Sequence, residues 1–489
     1  MRARSWDPLG PVLAIVAGVV YAVGGWNGVL NRDLGLFVYG GQRFLDGEPP
    51  YTGVFNRVGP LADMLPGVGI ALGRAVGLAD VHGARAFYLV LSAVCAGLLY
   101  VVARDVLGSR TAAVVACAAF LCFETFTELA GSGPRDKTAM LVFLLAALVA
   151  ARARRWWAFG GLTALATLTW QPAFVPLLVA GVVGIVSGRE ATRPLVAALR
   201  VCVAGLVTTL VFAAYFWSEG GLSRAIDGFL LVNLTDTSQP SPLKNPLYVW
   251  QFLTNGYGWS LYLVLVGLAV ALLALVPQVA RIAGLDRDYL VVGLAGATAA
   301  AWSTYALNGP PDMFVVLPFA AIGIGIVGLL LERRTSPAPA VALACVLTVA
   351  AGAQAVSLRD DTLVAQQASV DAMLRTTPDA SMLSVAAPEA LALAGRRNPT
   401  PYQLFALGFD QYVEDEWPGG LEGYAEYVRT ERPELIVIST GSTPDWLVPV
   451  LADDYRRVGS APKWFWYAST ALPAEQLDEL HSALKAAKP

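Results

Sequence analysis

Apolar residues along this chain gather in runs longer than a soluble core helix needs. A bilayer core of about 30 Å calls for about 20 such residues per helix. Runs of this kind lie at 9–30, 86–104, 111–127, 138–151, 157–170, 173–187, 196–217, 258–279, 289–306, 312–331 and 337–356. Three of them, 138–151, 157–170 and 173–187, are short. Gln171-Pro172 separates the last two, which read either as two spans or as one kinked re-entrant segment. The pattern predicts a polytopic α-helical membrane protein with about 11 crossings.

The polar stretches between the runs carry structure of their own. Residues 34–45 place Leu36, Phe37, Tyr39 and Phe44 as a short amphipathic helix would. Residues 61–78 look similar but contain Pro66 and several glycines. Both predict helices lying along the interface within 31–85. Reading 61–78 as a span instead would reverse every loop downstream. From Arg359 onward the apolar runs shorten and charges return. Helices are predicted at 367–375, 420–430, 444–455 and 474–487, and strands at 381–386, 433–439 and 463–470. The chain thus divides into a membrane region, 1–358, and a small C-terminal α/β domain, 359–489.

Composition agrees with lipid as the main solvent. The 489 residues are 56% hydrophobic and 15% charged, where soluble domains run near a quarter charged. A net charge of −3 without a clustered basic face excludes nucleic acid as a partner. All five cysteines (Cys95, Cys117, Cys122, Cys202 and Cys345) fall in apolar runs and read as small buried hydrophobes. With only His82 and His481, a histidine-based metal site is not expected.

Loop charges give the chain a direction. If the N-terminus with Arg2 and Arg4 is cytoplasmic, the inside loops hold Arg104 and Arg110, then Arg152, Arg154 and Arg155. Next come Arg189 and Arg193, Arg281 and Arg287, and Arg333 and Arg334. Every inside loop is basic, as a plasma-membrane protein requires. The first run is followed by Arg32 and Asp33, not by a small-residue cleavage site, and so reads as a retained span. Segments 31–85, 124–138 and 218–256, and the C-terminal domain, then lie outside. High alanine, glycine, valine and arginine usage fits a high-GC bacterium such as an actinobacterium.

Candidate chemistry gathers on that outer side. Asp33 follows the first span at the outer interface, in reach of a substrate with its tail in the outer leaflet. The plain alternative is that Arg32 and Asp33 only cap the next helix. The predicted turn 124–138 carries Glu124, then Gly131-Ser132-Gly133-Pro134, then Arg135, Asp136 and Lys137 at a helix start. Fixed cations beside a helix N-terminus suit a phosphate; capping by Asp136 is the plain alternative. Arg57, between the two interfacial helices, and Gln171, at an outer span end, are further candidates for the donor site. Asp63 reads as a polar-face residue.

The order of these features resembles the GT-C class of membrane glycosyltransferases. That class includes protein O-mannosyltransferases, lipid A aminoarabinose transferases, and actinobacterial mannosyl- and arabinosyltransferases. The resemblance rests on Asp33, on Asp46-Gly47-Glu48-Pro49-Pro50-Tyr51, and on Gly59-Pro60-Leu61 before the second interfacial helix. It implies transfer of a sugar from a polyprenyl-phosphate carrier to a hydroxyl of a glycan, lipid or protein acceptor. Mannose is favoured and arabinose is open. It implies Asp33 as general base and an acidic residue at the position of Asp136. It points to no cofactor, and a divalent metal is not indicated. Two rivals predict otherwise. A transporter or flippase of lipid-linked saccharide would place ionisable residues at mid-span, and the runs are nearly free of them. A non-catalytic cell-envelope scaffold would not need Asp33.

Overall fold

The computed structural model describes residues 7–187, 194–235, 242–406, 408–441 and 443–487. Arg2, Arg4, Arg189 and Arg193, which entered the loop-charge argument, lie outside them. Each predicted apolar run falls on a helix or on a bent helix pair. In chain order the first ten helices are α1 (Leu9–Gly25), α2 (Arg32–Leu45), α3 (Leu61–Ala75), α4 (Asp80–Leu107), α5 (Arg110–Leu121), α6 (Glu124–Ser132), α7 (Asp136–Arg152), α8 (Trp156–Thr169), α9 (Phe174–Val186) and α10 (Pro194–Ser218). Helices Ser260–Leu273, Tyr289–Tyr305, Leu317–Arg334 and Pro337–Ser357 follow. By length and composition, three described helices are able to cross a membrane, or up to five if each of two bent pairs is one span.

One of those pairs corrects the sequence reading. Residues 124–138 were expected as a tight turn, but 124–132 form α6, bent 71° from α5. α6 packs against α1 through glycine: a Cβ on Gly131 would lie 2.4 Å from the Tyr21 carbonyl oxygen. The cysteine expectation holds for Cys95, Cys117 and Cys122, which are buried, and fails for Cys202 and Cys345. Those two sit on outward faces of α10 and of Pro337–Ser357. An apolar run in a membrane helix must satisfy lipid as well as neighbouring helices, so apolar sequence does not imply burial in protein.

α2 is the hub of the segment between α1 and α4, and its sequence explains why. At about 100° per residue, Asp33, Phe37, Gly40 and Phe44 share one face, while Gly35, Tyr39 and Gln42 share the opposite one. The first face meets α3: a Cβ on Gly40 would lie 2.5 Å from Asp63 Oδ1, and one on Gly41 2.6 Å from Gly67 N. The second face meets the C-terminal region, where a Cβ on Gly35 would lie 2.6 Å from the Cα of Glu389. Glycine is what lets a helix be approached this closely from both sides.

The C-terminal region holds a four-stranded sheet of β1 (Met382–Val385), β2 (Leu435–Ser439), β3 (Tyr455–Ala461) and β4 (Trp464–Ser469), in the order β1-β2-β4-β3. β1 and β2 are parallel, with Met382 opposite Leu435; β4 runs antiparallel to both its neighbours. β3 was not anticipated, because Tyr-Arg-Arg-Val-Gly-Ser-Ala alternates weakly and gains its pairing only from the β4 hairpin. The fully buried Trp464 and Trp466 anchor one face, and Trp466 Nε1 donates to Ser369 Oγ at 2.9 Å. The region is tied to the bundle at several points. Gln366 accepts from Leu30 N at 2.9 Å and donates to Leu30 O at 2.8 Å. Gln42 Nε2 donates to Ala392 O at 3.0 Å, and Asn398 N donates to Tyr39 Oη at 2.9 Å. The segment following α1 is thus clamped between bundle and sheet.

Candidate active site

The site forms where the N-termini of α2 and α7 converge. α2 is capped by Asn31, whose side chain accepts from Leu34 N at 3.1 Å. Asp33 is therefore not the cap, and its carboxylate is turned to lateral partners. Arg32 donates to Asp33 Oδ1 through Nε at 3.2 Å and Nη2 at 3.1 Å; Arg135 Nη1 donates to Oδ2 at 2.7 Å. Asp33 nevertheless leaves 40% of its side chain exposed, against 10% for Arg135. Asp33 and Arg32 are the accessible members of an otherwise buried group. Burial pushes the Asp33 carboxyl up, but the guanidinium groups of Arg135 and then Arg32 outweigh it and hold the group well below the usual carboxylate range.

Behind Asp33 the charges interlock. Arg135 Nε lies 3.2 Å from Asp136 Oδ1, and Lys137 Nζ lies 3.5 Å from Asp136 Oδ2 and 3.2 Å from Asp312 Oδ1. Asp312, which sequence reasoning missed, also accepts from Asn308 N at 2.6 Å. The cations rest on aromatic faces, Lys137 5.2 Å from the Trp170 ring centre and Arg135 5.8 Å from that of Phe37. Arg85, buried in α4, donates to the carbonyls of Trp26, Gly28 and Gly133. It fixes the turn that presents Arg135.

Pairing here is incomplete. Arg135 Nε and Asp136 Oδ1 meet as an ion pair but make no hydrogen bond, and the buried Thr138 Oγ1 and Asp63 Oδ1 have no hydrogen-bond partner. Buried polar atoms are rarely left so, and a cluster of them marks a place where something other than folding sets the arrangement. Asp63 was read as a polar-face residue; it is instead buried, with Asn56 Nδ2 donating to its Oδ2 at 2.8 Å. Burial first, and the charge of Asp136, raise its pKa to about 8. Glu389 is the second carboxyl that sequence reasoning missed. It is 1% exposed, and neither oxygen has a hydrogen-bond partner. Burial raises its pKa to about 8. Nothing in its short helix, Pro388–Ala394, signals this, because only the fold presses it against α2.

Of the sequence candidates, Asp33, Arg135, Asp136 and Lys137 form one connected cluster. Gln171 lies apart from it in role: its Nε2 donates to Arg57 O at 3.1 Å and Phe229 O at 2.9 Å, stapling two segments distant in sequence. The Arg57 carbonyl also accepts from Asn233 Nδ2 at 2.7 Å, and its side chain is half-buried. Glu124 opens α6, its backbone N donating to Ser260 Oγ at 3.1 Å, and its carboxylate lies near Gly258. Among the described residues, no group of three or more His, Cys, Asp or Glu is arranged to hold a metal ion.

No protein-family model and no curated protein matches this chain. Solved structures do. ArnT from Cupriavidus metallidurans in the apo state aligns with a TM-score of 0.64 at 15% identity, over 96% of this chain and 99% of that one. ArnT bound to undecaprenyl phosphate aligns at 0.61 and 15% identity, with the same coverage. The arabinosyltransferase EmbB from Mycobacterium smegmatis gives 0.41 at 13% identity, over 94% of this chain and 46% of that one. The ArnT likeness runs nearly end to end and shows the fold, which this chain shares with ArnT.

Proposed function

We propose that this protein is a membrane glycosyltransferase that moves a sugar from a polyprenyl-phosphate carrier to a hydroxyl acceptor at the outer face of the plasma membrane. The observation that carries the proposal is the pairing of Asp33, a half-exposed carboxylate, with the buried Arg135, which Asp136 links to the buried Lys137, in an ArnT-like fold. The structure of ArnT with undecaprenyl phosphate supports a carrier of that kind. In this reading the N-terminus is cytoplasmic, and the sheet region, 359–489, is extracytoplasmic. Mannose is the favoured sugar, with arabinose the second choice.

The chemistry follows from the charges. A sugar hydroxyl is a poor nucleophile, and a carboxylate that takes its proton as it attacks the anomeric carbon lowers the barrier. Asp33 is well placed for this by its exposure, but in the free protein two guanidinium groups occupy its oxygens. The incoming donor phosphate competes for Arg135, releasing Oδ2 to accept the hydroxyl proton. The anomeric C–O bond to phosphate then breaks, its electron pair leaving on the lipid phosphate. The new glycosidic C–O bond forms, and Arg135 with Lys137 offsets the charge on the departing phosphate. Asp136 and Asp312 position the two cations. Trapping labelled sugar from polyprenyl-phosphate mannose or arabinose on an acceptor, with purified protein, tests the reading. Transfer by wild type and none by Asp33→Asn is expected. Full activity of that variant overturns the mechanism, and no transfer from either donor removes both sugars.

A further inference from the structure

On the face of α2 opposite Asp33, a cleft of about 480 Å³ opens between the bundle and the sheet region. This volume falls within the range of roughly 300–1,000 Å³ typical of small-molecule sites. Its walls come from parts of the chain far apart in sequence: Tyr39 of α2, the turn Glu48–Gly53, the start of β1, and residues 397–401. We infer that this cleft is a second binding site, for a neutral saccharide chain. The inference deepens the proposed function, on which it rests, by making the acceptor an oligosaccharide.

Three features select that ligand. First, Glu48 and Arg397 form an ion pair on the cleft wall, with 27% and 63% of their side chains exposed. A carboxylate beside a guanidinium sets acceptors next to donors, which matches vicinal hydroxyls, each able to do both. The pair neutralises itself, and Glu431 adds a negative charge nearby, so the cleft holds no surplus cation for a phosphate. Second, Pro399, Pro401 and Pro433 offer C–H surface to the apolar faces of sugar rings. Third, the route for a peptide is closed. An extended peptide would need the free edge of β1, yet Asn398 Oδ1 accepts from Ser384 N at 2.7 Å and Gln403 O accepts from Ala386 N at 2.6 Å. The edge is already covered.

The position fits a distal subsite. Tyr39 lies six residues beyond Asp33, about 9 Å along the helix and on its far side. A saccharide held there is too far from Asp33 to be the reacting unit and instead anchors a chain whose end reaches the carboxylate.

The test measures binding in the full-length Asp33→Asn protein, which keeps the cleft and removes the base. Neutral hexasaccharides of mannose and of arabinose are titrated and followed by saturation-transfer NMR, beside the monosaccharides and a neutral hexapeptide. Saturable binding of at least one hexasaccharide is expected, tighter than its monosaccharide. Arg397→Gln, and Pro399→Trp, which fills the cleft, should each weaken it about tenfold. If Pro399→Trp fails to fold, Arg397→Gln alone decides. Binding of neither hexasaccharide, binding unchanged by the substitutions, or equal binding of the hexapeptide overturns the proposal. Since no transfer is scored, an inactive enzyme leaves this test intact, and an empty cleft leaves the transfer reaction standing.

Discussion

At one end of the helix bundle Asp7 accepts from Arg104 at 2.5 Å, Arg110 at 2.9 Å and the Tyr100 hydroxyl at 2.9 Å, while Arg152 reaches Asp105 and Asp288 at 2.7 Å each. At the other end Asp33, Arg135, Asp136, Lys137 and Asp312 form a cluster of the same residue types. The two clusters differ in how far they are satisfied. Among the described residues, no side-chain atom of the Asp7 group is both buried and without a hydrogen bond, whereas Arg135 Nε and Asp136 Oδ1 meet only as an ion pair and the neighbouring Thr138 Oγ1 has no hydrogen bond. The Asp7 group clamps α1 to α4 and α5, and its best arrangement is the one with every donor matched. The Asp33 group is ion-paired but less fully hydrogen-bonded, as befits a set that must also serve a visitor. Charge alone does not separate a brace from a site; the degree of satisfaction does.

Substitutions at the two ends put that contrast at risk. Asp33→Asn should cost about 10²- to 10⁴-fold in transfer rate, the usual worth of a general base, with little change in unfolding temperature in detergent. A rate within threefold of wild type would erase the distinction. Arg135→Lys keeps the charge but loses the fork that serves Asp33 and Asp136 together. On the order of a tenfold fall in kcat/KM is expected, carried mainly by KM for the lipid donor in steady-state assays. Asp7→Asn should do the reverse, lowering the unfolding temperature by a few degrees while the rate per folded molecule stays unchanged. A rate loss there, at matched folded fraction, would make the Asp7 group more than a brace.

The smallest effect concerns Glu389. Its pKa rises from about 4.5 in the unfolded chain to about 8 in the folded one. The folded state then binds the extra proton across that window. Its contribution to stability is full below about pH 4.5 and is lost as pH rises towards 8. Glu389→Gln stays neutral throughout, so its unfolding temperature should fall less than that of wild type between pH 5 and pH 8. Parallel curves would show that Glu389 does not titrate in this range.

Several features were legible beforehand because they depend on local pattern. α2 and α3 were read from amphipathic spacing, and they sit at Arg32–Leu45 and Leu61–Ala75. Asp136 was placed at a helix start from the glycine-rich stretch before it, and α7 begins there. The strand 433–439 was read from a branched apolar run after a proline, and β2 occupies Leu435–Ser439. The misses were non-local. α6 hides inside a predicted turn, since Glu-Thr-Phe-Thr-Glu carries no helix-length apolar face. Asp312 stands at the edge of a predicted apolar run, and neither it nor Glu389 has a charged neighbour in sequence to single it out.

The sequence by itself determined where the apolar helices lie, which segments between them are polar, and that Asp33 and the run Arg135, Asp136 and Lys137 stand at helix starts. Each of these is set by periodicity, hydropathy or adjacency, which operate over a few turns of chain. Only the tertiary structure decided that Asp33 and Arg135, about a hundred positions apart, share one 2.7 Å contact, and that α2 presents Asp33 on one face and the cleft on the other. It also decided that Asp63 and Glu389 are buried carboxyls rather than surface ones. The reason is that burial and pairing depend on what a residue is packed against. On α2 that is settled by Gly35, Gly40 and Gly41, whose missing side chains admit α3 from one side and the sheet region from the other.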